Sequence, residues 1–299
     1  MCTAITFNKD GVFFGRTLDA EESFGERVIL VPRYAPLSFS DGYCAESHYA
    51  LLGMGIIHGA APLFFDGMNE VGLCGAALNF DKFCKYKSAD QEKNKIASFE
   101  VICRILSFCK SVGEAKNLLS SPVITDLSAD KSLPPSPLHW IFADNSRAIT
   151  VEQTEEGLSV YDNKIGVLTN APDFPFHEKR VTEISSLSPK NAEGDFFSLG
   201  YGAIGLPGDY SSPSRFLRGA YMRRYAECKT HSDFFRAIDT VSIPRGAVIN
   251  NDGKEHYTLY SSVYDAVKRI LYRRTYPSLD ILSVSLTENL LSEASVRYI

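Results

Sequence analysis

The hydrophobic period of this chain changes from two residues to about 3.6 and back, twice over, and few architectures accommodate that order. Thr3 to Phe7 alternates, Lys9-Asp10-Gly11 supplies turn chemistry, and Val12 to Leu18 resumes an extended apolar pattern. Arg27 to Pro32, Tyr49 to Ile57 and Val71 to Phe80 read the same way. Phe99, Ile102, Cys103, Leu106 and Cys109 then fall on one helical stripe, and Val112 to Leu119 can form a second helix. Leu138 to Asn170 returns to strands, broken at Asp144-Asn145 and Glu156-Gly157. Helices are expected near Phe176, from Ser212 with Pro213 at the first helical position, and over Asp233 to Val241. Tyr257 to Leu286 is extended again. Strands and helices in such blocks predict stacked layers of an α+β domain. No repeat or linker divides the 299 residues.

Composition removes several function classes. With 44% hydrophobic residues the chain can bury a large core, and its net charge of −5 disfavours a nucleic-acid partner. The first apolar stretch is interrupted at Lys9-Asp10, against a secretory leader, and no window is apolar enough to span a membrane, so a cytoplasmic location is expected. The seven cysteines are odd in number and contain no CxxC pair, which supports neither a disulfide framework nor a zinc ribbon. No G-x-S-x-G elbow is present, and His177-Glu178 lacks the second histidine of a zincin. Gly53-Met54-Gly55 misses the third glycine of a dinucleotide fingerprint.

The chain opens Met1-Cys2-Thr3, and cysteine is small enough for removal of the preceding methionine. Cys2 would then carry a thiol and an α-amine, whose ordinary pKa values of roughly 8.5 and 7.7–8.0 both lie close to neutrality. The amine can take the thiol proton and serve the thiolate as its own acid and base. The hairpin over residues 3–18 would return Arg16 and Asp19 to the first strand, where a guanidinium can hold Cys2 and a carboxylate can accept from the α-ammonium.

Five ordered segments resemble the choloylglycine hydrolase family, which includes bile salt hydrolases and penicillin V acylases. They are Cys2-Thr3-Ala4, Gly15 to Asp19, Gly72 to Phe80, Leu168 to Pro172 and Gly205 to Phe216. The resemblance implies a four-layer αββα sandwich of the N-terminal-nucleophile hydrolase type, one domain over 1–299, and a homotetramer without metal or cofactor. It also implies Cys2 as nucleophile, Arg16 and Asp19 as the pair that orders it, Asn79 and Asn170 around the oxyanion and nucleophile, and Arg215 as a further active-site cation. Arg215 sits near an expected helix start, where the dipole disfavours a cation, which itself suggests a role in a pocket.

Asn79 stands where the penicillin acylase branch commonly has tyrosine. The resemblance therefore favours hydrolysis of glycine- or taurine-conjugated bile acids over penicillin V or other N-acyl amides such as acyl-homoserine lactones. A bile-acid-binding protein without catalysis is the alternative from another class. A steroid calls for a largely apolar pocket, with Leu18, Phe24, Phe64, Phe65 and the loop 125–137 including Leu133 as candidate walls. In that loop Lys131 would suit an anionic tail better than Asp126 or Asp130.

Overall fold

The computed structural model describes residues 1–8, 12–130, 132, 134–191 and 200–299. The expected turn at Lys9-Asp10-Gly11, and Lys131 and Leu133, lie outside the described residues. The strands are β1 (Cys2–Phe7), β2 (Phe13–Ala20), β3 (Arg27–Val31), β4 (Leu37–Ser38), β5 (Cys44–Ala45), β6 (Leu51–His58), β7 (Ala61–Asn69), β8 (Cys74–Asn79) and β9 (Lys95–Ala97). After the helices α1 (Val101–Phe108) and α2 (Val112–Leu118) come β10 (Val123–Thr125), β11 (Leu138–Ala143), β12 (Ala148–Thr154), β13 (Gly157–Asp162) and β14 (Val167–Leu168). The helices α3 (Phe174–Arg180), α4 (Ser212–Tyr225) and α5 (His231–Asp239) precede β15 (Tyr257–Asp265), β16 (Ile270–Thr275) and β17 (Leu282–Ser285), and the chain closes with α6 (Glu288–Leu291) and β18 (Arg297–Tyr298).

Two large sheets carry the fold. One runs β14-β1-β2-β15-β16-β17 and the other β13-β12-β11-β8-β7-β6-β3-β18. Ile5, Phe14, Leu18, Val263 and Tyr260 of the first sheet share a continuous apolar cluster with Leu52, Met54, Met68, Ala76 and Ile141 of the second. A second cluster joins the other face of the eight-stranded sheet to α1 and α2, through Ile102, Ile105, Leu106 and Val112 against Trp140, Phe142 and Phe64. The helices α4 and α5 pack on β1, β2 and β15. Both faces of β1 are thus covered, and all six of its residues are buried. Edge strand β17 is largely exposed, as the end of a sheet should be.

The period changes in the sequence correspond to these elements, with shifts of a few residues at the ends. The helix α4 takes Ser211 as its cap, whose hydroxyl accepts from Ser214 N, so the helix begins one residue earlier than a cap at Ser212 would place it. The short β4, β5, β9, β10, α6 and β18 were not announced by the alternation, and the longest element it did not announce is strand β7. Its inner half is buried throughout, and a bulge between Met54 and Gly55 of the pairing strand leaves Phe65 as the extra residue. No helix among the described residues is long and apolar enough to cross a membrane.

Candidate active site

The register of the first hairpin sets the site. Cys2 pairs with Leu18, Thr3 with Thr17 and Ala4 with Arg16, so the second strand returns Arg16 and Asp19 alongside the first residues of β1. On the other side Ala4 pairs with Leu168, which brings Asn170 to the same end of the sheet. Cys2 is 4% exposed.

Asn170 and Arg215 grip the Cys2 backbone. Asn170 Oδ1 accepts from Cys2 N at 2.7 Å and from Arg215 Nη2 at 2.8 Å. Arg215 Nη1 donates to the Cys2 carbonyl and to Thr3 Oγ1, and Nε donates to Tyr210 O at 3.0 Å. The guanidinium is fully buried and lies 4.0 Å from Asp19 Oδ2. Burial lowers its pKa, Asp19 and Cys2 oppose that, and Arg218 adds to it. Arg215 is in the first turn of α4, where the helix dipole disfavours a cation, and its guanidinium serves β1 instead.

Arg16 approaches from the other side. Its Nη1 donates to Phe65 O at 3.1 Å and Ala77 O at 2.8 Å, and Nε to Thr17 O at 3.1 Å. Burial alone would lower its pKa, but Cys2, Tyr260, Asp66 and Asp19 outweigh that and raise it. Arg16 Nη2 is buried without a hydrogen-bond partner among the described residues. A buried donor of that kind is costly, so a site that tolerates one has a charge to offer. Asp19 accepts from Thr258 Oγ1 at 2.6 Å and Thr17 Oγ1 at 3.2 Å, and both hydroxyls fix its carboxylate.

Asn79 ends β8 and joins the cluster through its backbone, whose carbonyl accepts from Asn170 Nδ2 at 2.8 Å. Its side chain is exposed, and Oδ1 accepts from Asp81 N at 3.1 Å. The structure therefore gathers Cys2, Arg16, Asp19, Asn170 and Arg215 into one buried group, with Asn79 at its rim.

The apolar candidates divide. The bulge turns Phe65 to the same side as Asp66, against the inter-sheet cluster, and Phe65 meets the exposed ring of Phe24 edge-on at 5.7 Å. Leu18 is buried in the inter-sheet cluster beside its register partner Cys2. Phe64 faces the opposite way, into the packing against α1, and so lies in the helix-side core rather than beside Cys2.

Sequence reasoning passed over two supports. Asp66, fully buried on β7, accepts from Tyr260, Ser262 and Tyr264 of the opposite sheet and lies 3.8 Å from Arg16 Nη1. Burial raises its pKa, while Arg16 and the three hydroxyls pull it down. A charge inside the apolar run from Ala61 to Met68 was the available signal. Thr258 enters through long-range pairing alone, which carries no local signal. Burial pushes the thiols of Cys103, Cys109 and Cys228 up to about 12, which keeps these three protonated, and all seven cysteines are free. Among the described residues no group of His, Cys, Asp and Glu converges as a metal site.

The arrangement sets a cysteine near two buried guanidiniums, surroundings that can favour a thiolate over a thiol. The sequence pattern of linear amide C–N hydrolases, choloylglycine hydrolase family, matches residues 2–297. A bile salt hydrolase/transferase of Lactiplantibacillus plantarum is 40% identical over 96% of this chain and 92% of its own length. A bile salt hydrolase/transferase of Clostridium perfringens is 36% identical over 97% and 94%. The crystal structure of a mutant conjugated bile acid hydrolase from Clostridium perfringens superposes with a TM-score of 0.90 at 32% identity, covering 100% of this chain and 96% of that one. Penicillin V acylase from Agrobacterium tumefaciens shares the fold, with a TM-score of 0.80 at 18% identity over 99% of this chain and 90% of that one. With its fold and nearly its whole length matched, this chain belongs to the choloylglycine hydrolase family of linear amide C–N hydrolases.

Proposed function

We propose that this protein hydrolyses the amide bond of glycine- or taurine-conjugated bile acids, with Cys2 as nucleophile once Met1 has been removed. The observation that carries the reading is the grip of Asn170 and Arg215 on the Cys2 nitrogen and carbonyl. It fixes the leading residue of the mature chain while leaving its thiol to Arg16. Removal of Met1 turns the Cys2 nitrogen into an α-amine, for which Asn170 Oδ1 is already a partner.

The Cys2 thiolate attacks the amide carbon, forming a carbon–sulfur bond and an oxyanion. Donors at the oxyanion, with the Asn79 amide and a backbone N–H in that role, are each worth roughly 3–4 kcal/mol. Collapse expels the amine, protonated by the α-ammonium. The resulting amine then takes a proton from water, whose hydroxide cleaves the thioester to free bile acid and regenerates the thiol. Leu18, Phe24 and Phe65 supply apolar wall for a steroid.

The same reading takes residues 1–299 as one N-terminal-nucleophile domain. The packing of helices on the outer faces of the two facing sheets supports an αββα sandwich, and the reading extends to a cytoplasmic homotetramer without metal or cofactor. The test is parallel hydrolysis of glycocholate, taurocholate and penicillin V by the wild type and Cys2→Ser. Release of glycine or taurine should outpace penicillin V cleavage, and Cys2→Ser should release none. Faster penicillin V turnover would move the protein to the acylases, and full activity of Cys2→Ser would remove Cys2 from the mechanism.

A further inference from the structure

Asn170 is held at both ends by the first turn of α4. Arg215 Nη2 donates to its side chain, and Ser212 Oγ lies 2.7 Å from its backbone carbonyl. A third group reaches the same carbonyl from α3: His177 Nε2 is 2.9 Å from Asn170 O and 3.4 Å from Ser212 Oγ. The His177 side chain is completely buried, stacked on Phe216 at 4.8 Å and 15° and met edge-on by Phe176. A carbonyl can only accept, so the ring proton is on Nε2. Nδ1 has no partner among the described residues, and burial holds the pKa of the ring down at about 4. A neutral imidazole is thus locked in one tautomer with a single donor, and that donor is aimed at Asn170.

We propose that His177 is a positioning residue of the amide hydrolysis, acting through Asn170. Its Nε2–H, with the Ser212 hydroxyl, fixes the Asn170 carbonyl, and this sets the angle at which the Asn170 amide meets the Cys2 nitrogen and Arg215. The two donors sit on different helices, so α3 and α4 are tied to the site at one atom. The inference rests on Asn170 ordering Cys2.

The test compares His177→Phe, His177→Gln, Ser212→Ala and Asn170→Ala in glycine release from glycocholate, with Tm measured for each. Phenylalanine keeps the stack on Phe216 and loses the donor, whereas glutamine keeps a donor. His177→Phe should lower kcat about 10–100-fold with KM within about twofold, because a misplacement of an ångström costs rate rather than affinity. His177→Gln should recover most of that rate, and a His177→Phe, Ser212→Ala double variant should be non-additive, since both donors serve one carbonyl. Wild-type kcat in a folded His177→Phe protein, with Asn170→Ala slow, overturns the proposal alone. Wild-type kcat in Asn170→Ala overturns the reading of Asn170 beneath it. Equal losses in the Phe and Gln variants that follow their Tm would reduce His177 to packing, and should the Phe variant not fold, Gln and Ser212→Ala decide the same question.

Discussion

His177 has a consequence for stability as well as for rate. Its pKa falls from 6.5 to about 4 because burial penalises the imidazolium. Between those values the unfolded chain binds a proton that the folded ring does not, so stability rises with pH across that window. A shift of that size contributes about 3 kcal/mol, present above pH ~6.5 and gone below pH ~4. His177→Gln has no such proton. Urea unfolding at pH 7 and pH 4.5 should therefore show the wild type losing roughly 2–3 kcal/mol relative to His177→Gln. A difference that stays constant would mean the ring titrates as if exposed. Arg215 illustrates the opposite economy, since a fully buried cation is kept charged by Asp19, Cys2 and three carbonyl or amide oxygens.

At the scale of elements, β2 is the organising strand, paired with β1 on one side and β15 on the other. Gly15 allows both. A Cβ there would stand 2.3 Å from Ser262 O and 2.7 Å from the Phe234 ring of α5, so neither the sheet nor the helix could keep its place. Gly15→Ala should cost about 1–3 kcal/mol by overpacking, read as a lower urea midpoint with unchanged slope, and should slow turnover by shifting Arg16 next to it. An alanine variant of wild-type midpoint and rate would mean that β15 yields freely. The hairpin that carries Arg16 and Asp19 back to Cys2 was legible in the alternation of Thr3 to Leu18, because a local turn fixes register. The bulge that leaves Phe65 facing the inter-sheet cluster was not, since one extra residue reverses a side chain without changing composition. Phe64 and Phe65 were both expected as pocket wall, whereas Phe64 lies against α1.

Over the whole molecule, the order of strands and helices was readable and their arrangement into sheets was not. The eight-stranded sheet brings together residues as distant as Arg297 and Leu30, and nothing local announces such pairing. The site suffers the same limit. Cys2, Arg16 and Asp19 are close in sequence, whereas Asn170 and Arg215 reach Cys2 from 168 and 213 positions away, and resemblance to ordered family motifs singled them out, aided for Arg215 by its place at a helix start. What those long-range contacts converge on is Cys2, proposed above to supply both the sulfur and the amine. Intact-mass analysis of the enzyme, quenched during turnover of glycocholate, tests that directly. The expected species is the chain without Met1, carrying one bile acyl group that maps to Cys2. Turnover by a chain that retains Met1, or an acyl group on any other residue, would contradict it.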